Sequence, residues 1–328
     1  MAGIKDVARL AGVSVSTVSN VLNDKKNVGA ATRKRVLEIC EELSYYPNAA
    51  GKNLKNGDTK TILFNFSDFD RSFYLDIING ISDYAVDNGY DLMICTRKSC
   101  ERFMRNGMTS GCIILDMRMK TELIEEVANE KYPVVFLDRV VDHPYIKSIV
   151  VNNYGPMTEL VQGLVDRGYK RFSFIGGPES TDDNKERYRA FIDVLNANGL
   201  PFAGKNYHSG DFRQKTGYMA AKIMVLSDEL PECIVCANDN MAVGAIQALH
   251  EAGIRVPEDV AVTGFDDCAL AEPFGLTTVD IPNYERGYLA AQYLIENIEG
   301  GQERDTLKIN AKVKWRKTVS KKCPSHRK

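Results

Sequence analysis

Histidine and tryptophan are scarce in this chain of 328 residues, with four and one respectively, and no apolar run approaches a membrane span. His143, His208, His250 and His326 stand apart without metal-ligand spacing, so no metal site is expected. No serine sits in a nucleophile elbow. Gly176-Gly177-Pro178 lacks both the further glycines of a dinucleotide loop and the Gly-Lys-Ser/Thr of a P-loop, which leaves nucleotide hydrolysis unsupported. Neither an enzyme nor a cofactor is expected. The opening Met1-Ala2-Gly3-Ile4-Lys5-Asp6 contains no apolar core of signal-peptide length, which points to the cytoplasm. The eight cysteines are scattered, mostly in apolar stretches, as free thiols in a reducing compartment would be. Cys233 and Cys236 have the spacing of a redox or zinc pair. They fall in a predicted strand, however, where residues three apart face opposite sides, and no second pair accompanies them.

What remains is ordinary globular composition, 44% hydrophobic and 26% charged, at a length suited to two or three domains. Net charge is −2, but it is unevenly spread. Residues 1–60 carry 10 Lys+Arg against 6 Asp+Glu, residues 61–305 carry 23 against 38, and residues 306–328 carry 9 against none. A basic head on an acidic body suits a head that seeks a polyanion, although a solvated face accounts for any single cluster.

In the head, Ile4, Val7, Ala8 and Ala11 recur at helical spacing, and Gly12 ends that helix. Ser14 can cap a second helix, in which Val18, Val21 and Leu22 form the apolar face. Val36, Ile39, Cys40 and Leu43 mark a third. Two short helices across a glycine turn, braced by a third, make a helix-turn-helix unit. The polar face of the second helix suits DNA: Asn20 can pair with adenine, Ser16 can donate or accept, and Val15 can cover a thymine methyl. Ser14, Thr17, Ser19, Asn23, Thr32, Arg33 and Tyr45 are the candidate phosphate contacts. A plain three-helix bundle with serine caps is the alternative.

Ile4-Lys5-Asp6-Val7-Ala8, Ala11-Gly12-Val13-Ser14, Thr17-Val18-Ser19, Val21-Leu22-Asn23, Thr32-Arg33, Tyr45 and Pro47-Asn48-Ala49-Ala50 follow one another without a gap. In that order they resemble the start of lactose-repressor/galactose-repressor family regulators. The resemblance implies that Val15, Ser16 and Asn20 read bases. It also implies that Asn48–Asn56 is a hinge helix, with Leu54 wedged into the minor groove beside Lys55. A flexible linker with Leu54 packed on the body is the other possibility. Gly51 and Lys52 stand where the family usually has alanine and arginine. Glycine within a helix costs about 1 kcal/mol against alanine, so weaker operator binding is expected, and Gly51→Ala is expected to tighten it.

In the body, candidate strands Thr61–Phe66, Tyr90–Cys95, Gly111–Asp116, Pro133–Asp138, Arg171–Gly176, Cys233–Asn238 and Val260–Gly264 alternate with amphipathic stretches such as Tyr74–Asn88, Met157–Arg167, Lys185–Gly199 and Met241–Gly253. Repeated strand–helix units imply parallel sheets covered by helices, with ligands beyond the carboxyl ends of the strands. The family resemblance extends here through Asp138-Arg139, Phe174-Ile175-Gly176-Gly177-Pro178, Arg187, Asn238-Asp239, Gly264-Phe265-Asp266-Asp267 and Thr277-Thr278-Val279. It implies a periplasmic-binding-protein-like α/β domain of two parallel-sheet subdomains crossed by three stretches of chain. It further implies a cleft lined by Phe73, Tyr74, Arg187, Phe212, Asn238 and Asp266, with Asp211 on a cleft loop. Taken singly, Phe73 could be core and Asp266 could cap a turn. Asn152-Asn153 replaces a more usual Asp-Asn pair. The stretch 97–105 is short and basic, either a reshaped cleft wall or, preferably, a trimmed helix with a solvated face.

The expected organisation is an all-α helix-turn-helix domain over 1–46, a hinge over 47–60, and a ligand-sensing, dimerising domain over 61–320. Its subdomains are expected over 61–156 with 282–305 and over 157–281 with 306–320, including a final strand Leu307–Trp315, before a basic tail over 321–328. The expected function is transcriptional regulation by a homodimer on palindromic double-stranded DNA, controlled by a small molecule, a carbohydrate or its phosphate before a nucleobase. No membrane partner is expected. A cytoplasmic solute-binding module without a DNA role is the alternative.

Overall fold

The computed structural model describes residues 2–23, 25, 27–45, 59–96, 99–227, 230–301 and 305–320. The chain divides into two compact units, Met1–Thr59 and Lys60–Lys328. The hinge residues Gly51, Lys52, Leu54 and Lys55, the tail, and Arg97 and Lys98 of the basic stretch lie outside the described residues.

The first unit contains α1 (Ile4–Ala11), α2 (Val15–Leu22) and α3 (Ala30–Glu42). Gly12 takes the left-handed conformation, with φ 65°, that lets the chain leave α1 and turn into α2. The Ser14 side chain then accepts the Thr17 amide at 3.1 Å, satisfying one of the open donors at the start of α2. Val7, Ala8, Ala11, Val18, Val21, Val36 and Cys40 close into a small core, with Ile39, Leu43 and Tyr45 packed against it. Such a core leaves the opposite face of α2 free of packing duty.

The second unit has two lobes. In the first, β1 (Thr61–Phe66), β2 (Asp91–Thr96), β3 (Gly111–Leu115), β4 (Val134–Phe136), β5 (Ile146–Val151) and a late strand β11 (Leu307–Ile309) form one parallel sheet in the order β11-β5-β4-β3-β1-β2. Helices α4 (Tyr74–Asp87), α5 (Ser99–Arg105), α6 (Thr121–Val127) and the late α11 (Asn283–Ile298) cover it. In the second lobe, β6 (Phe172–Gly176), β7 (Tyr207–Ser209), β8 (Cys233–Cys236) and β9 (Ala261–Thr263) make a parallel sheet ordered β7-β6-β8-β9. It is covered by α7 (Tyr154–Asp166), α8 (Asp182–Ala197), α9 (Gln214–Val225) and α10 (Asp239–Glu251). Strands β10 (Thr278–Asp280) and β12 (Lys312–Lys314) pair antiparallel beside it. Strands buried on both faces, such as Gly111–Leu115 and Cys233–Cys236, are what helices on both sides of a parallel sheet require.

The chain passes between lobes three times: from β5 to α7, from β10 to α11, and from β11 to β12. The expected single strand Leu307–Trp315 is therefore two strands in different sheets. Leu307–Ile309 extends the first lobe beside β5, where the expected boundaries put it in the second. Each lobe also carries one glycine-mediated helix crossing. A Cβ on Gly80 would lie 2.0 Å from the Tyr284 carbonyl oxygen, and one on Gly287 would lie 2.1 Å from that of Ile77. Gly217 and Gly244 do the same for α9 and α10. The first crossing fixes α11, which carries Asn283 and Arg286 into the cavity lining.

Candidate functional site

In the head, Val15 is 41% exposed and Ser16 is exposed beside it at the start of α2, and Asn20 lies half-buried about one turn further on. The hydroxyls of Ser14, Ser16 and Thr17 form a chain with separations of 2.7 and 2.8 Å. Asn23 and Arg33, also expected phosphate contacts, likewise have intramolecular partners. Asn23 Nδ2 donates to the Ser19 carbonyl at 2.7 Å, and Arg33 Nη2 donates to the Lys25 carbonyl at 2.6 Å. Arg33 also reaches the Val21 carbonyl at 3.4 Å, so its charge sits at the negative end of α2. Ser19 and Thr32 are half-buried, and Tyr45 packs on the core.

In the second unit, Phe73, Tyr74, Arg187, Phe212, Asn238 and Asp266 all line one cavity between the lobes, with about 590 Å³ of space partly open to solvent. Phe73 and Tyr74 begin α4 on the first lobe; Tyr74 is also part of that lobe's core, where burial raises the pKa of its phenol. On the second lobe, side chains form a continuous chain. Asn153 donates to Asp183 at 2.7 Å, Arg187 Nε donates to Asn153 Oδ1 at 2.9 Å, and Arg187 Nη1 donates to the Ala237 carbonyl at 2.6 Å. Asp266 Oδ1 lies 3.5 Å from the same Nη1, and the guanidinium stacks 3.8 Å over the Phe265 ring. Burial pushes the Asp266 carboxyl up to about 6, against the opposing pull of Arg187. Asn238 is largely occupied: its oxygen caps α10 through the Met241 amide, and its nitrogen donates to the Phe212 carbonyl. It holds Phe212, at φ 66°, over the cavity as much as it offers a polar group.

Four charged lining residues were not among the expected cleft residues: Arg71, Asp138, Asp183 and Arg286. Asp183 was open to detection, because it stands four residues before Arg187 on one helix face. Arg286 was not, because it interrupts the apolar face of α11 between Asn283 and Ala290. Asp138 is bound bidentately by Arg139, at 3.0 and 3.1 Å, while burial raises its pKa.

The lobes are tied at the cleft mouth. Arg213 of the second lobe donates to Asp68 at 2.9 Å, and its Nε lies 2.9 Å from Asp70. Asn240 donates to the Asp70 carbonyl at 3.0 Å and accepts from Ser72 at 3.3 Å. Asp211 belongs to the same set through Arg213, at 3.2 Å. Elsewhere, Arg105 of the short basic helix α5 pairs with Glu101 and Glu126 at the surface, as a solvated face would. Cys233 and Cys236 are both buried in β8.

A helix-turn-helix unit joined in one chain to a two-lobed sensor with a polar cleft defines the class of ligand-responsive DNA-binding regulators. Residues 3–48 match the family model described as bacterial regulatory proteins, lacI family, and residues 161–319 match that of the periplasmic binding protein-like domain. The chain is 30% identical over 330 residues to the HTH-type transcriptional repressor PurR of Pasteurella multocida, covering 97% of this chain and 99% of that protein. It is 31% identical to the PurR of Aliivibrio fischeri, over 98% and 99%. Among solved structures, a lac repressor dimer bound to operator and the anti-inducer ONPF superposes with TM-score 0.82 at 27% identity, over 97% of this chain and 99% of that one. A complex of the transcriptional regulator CelR with cellobiose gives TM-score 0.72 at 26% identity, over 97% of this chain and 100% of that one. The chain belongs to the lacI family of bacterial regulatory proteins. It is a sequence-specific DNA-binding transcriptional regulator, and its relatives are repressors rather than enzymes.

Proposed function

We propose that this regulator is a cytoplasmic repressor that binds a palindromic operator as a homodimer and releases or grips it according to a sugar or sugar phosphate in the interlobe cleft. The observation that carries the proposal is the convergence of six dispersed residues, Phe73, Tyr74, Arg187, Phe212, Asn238 and Asp266, on one cavity. A cleft between two lobes joined by three crossings lets a ligand bias the angle between them. The similar CelR was solved with cellobiose, and the similar lac repressor as a dimer on operator, which supports both parts of the proposal.

In the head, Val15, Ser16 and Asn20 are the proposed base readers. Ser14, Thr17, Ser19, Thr32 and Tyr45, with Asn23 and Arg33 in a partly structural role, are the proposed phosphate-contacting set. Leu54 and Lys55 are the proposed minor-groove pair. The homodimer is supported by an exposed apolar row on α9 and its C-cap: Met219, Ile223 and Leu226 are 52, 58 and 87% exposed, at helical spacing. Selection of genomic fragments by the purified full-length protein tests the proposal. An enriched palindrome with a central pyrimidine–purine step is expected. Folded protein that binds a cleft ligand but enriches nothing would favour a solute-binding module instead.

A further inference from the structure

Among the described residues that line the cleft, Arg286 carries a buried donor that nothing around it satisfies. It enters the cavity from α11 of the first lobe and is 5% exposed. Nη2 donates to the Leu137 carbonyl, and Nη1 lies 3.4 Å from Asn283 Oδ1. Its Nε is buried with no hydrogen-bond partner among the described residues. A buried N–H on a cation without an acceptor is costly, and on a residue that lines a cavity it is best explained by an acceptor that arrives with the ligand. Asp183 lines the same cavity from α8 of the second lobe and uses one carboxylate oxygen for the Asn153 amide. Arg286 and Asp183 form no ion pair with each other among the described residues, although their charges influence one another across the cavity.

The other charges of the wall are matched. Arg187 stands beside Asp266, Arg139 holds Asp138, and Arg71 lies 3.8 Å from Asp68. The lining contains three arginines and three aspartates, and so has no excess of positive charge to bind an anion. A phosphate needs such an excess and would face three carboxylates. A hydroxyl has the opposite requirement: it accepts from a guanidinium N–H and donates to a carboxylate at once. Phe73 and Phe212 add apolar surface for the carbon skeleton of the ligand.

We infer that Arg286 and Asp183 are an opposed donor–acceptor pair, one from each lobe, that grips a hydroxyl pair of an uncharged polyhydroxylated ligand and discriminates against its phosphorylated or carboxylated forms. The inference rests on the proposed cleft function and decides between the two ligand chemistries left open there. It also makes the ligand a bridge between lobes, since its hydroxyl pair would be held by Arg286 of the first lobe and Asp183 of the second.

Calorimetry on the full-length protein tests it with cellobiose, glucose, galactose and ribose, the 6-phosphates of glucose and galactose, glucuronate, galacturonate and hypoxanthine. At least one uncharged sugar is expected to bind, with any phosphorylated or carboxylated counterpart at least tenfold weaker. Arg286→Met is expected to weaken that sugar at least tenfold. Asp183→Asn is expected to weaken it too and to narrow its margin over the charged forms, which a merely structural role would not do. The inference is overturned if no uncharged sugar binds, if a charged form or hypoxanthine binds as tightly, or if both variants bind the sugar like the parent. Operator binding by the same unmodified preparation separates the two levels. If it is retained while calorimetry fails, the inference alone falls; if it is lost, the proposed function falls.

Discussion

On α2 of the head, Val15 and Ser16 stand exposed at the surface, whereas in the cleft Arg187, Asn238 and Asp266 are buried and already engaged with one another's neighbours. Both regions are proposed to recognise a partner, but they prepare for it differently. The head offers a rigid face whose side chains contribute little to its own folding. The cleft is part of the folded core, so its recognition groups also hold the lobe together. Recognition and stability should therefore separate in the head and be coupled in the cleft.

The largest test of that contrast is Arg187→Ala. It strips a buried carboxylate of its cation and leaves Asn153 Oδ1 without its donor, so about 3–5 kcal/mol of stability is expected to go, along with the effector response. Denaturant titration measures it, and an unchanged midpoint would break the contrast. Next is the pH dependence of Asp266, whose folded pKa of about 6 lies above the ordinary value of 3.8. Between these values the folded state holds the extra proton, so stability falls as pH rises through this window and levels off above it. The fall is about 3 kcal/mol from this group. Asp266→Asn is expected to flatten that slope in denaturant titrations from pH 4 to 7; a slope as steep as the parent's would put its source elsewhere.

In the head, Ser16→Ala is expected to cost about 1–3 kcal/mol of discrimination at one operator base pair, read by competition binding. Its unfolding midpoint should stay within about 0.5 kcal/mol of the parent. A large stability loss with unaltered base preference would reverse the proposed roles. The smallest effect is expected at the cleft mouth. Arg213→Ala removes a partly exposed tie to Asp68 and Asp70, which at about 0.5–1 kcal/mol should lower sugar affinity by a few fold in calorimetry. Tighter binding would mean that the tie holds the cleft away from its binding geometry.

The head was legible nearly residue by residue, because its signals are local. Gly12 supplies a left-handed turn, Ser14 supplies a cap, and valines three or four apart mark the buried side. Seven sheet strands were legible as apolar runs, but Ile146–Val151, six residues long, was missed because Lys147 and Ser148 interrupt its apolar pattern. Tyr207–Ser209 and Thr278–Asp280, three residues each, carry too little pattern to stand out. The final strand misled because Leu307–Trp315 reads as one extended run. Its division between two sheets is decided by β5 and β10, far away in sequence. The six residues that the resemblance assigned to a cleft line one cavity, but Arg286 was hidden. A lone arginine on an apolar helix face gives no sign that the fold turns it into a cavity.

Operator binding in the presence of the cleft ligand tests the central claim most directly. Fluorescence anisotropy on full-length protein and its selected operator, titrated with the sugar found by calorimetry, gives the operator Kd with the cleft empty and saturated. A change of at least tenfold in either direction is predicted, equivalent to about 1.4 kcal/mol of coupling between cleft and head. An operator Kd that stays the same when the cleft is saturated would contradict the account.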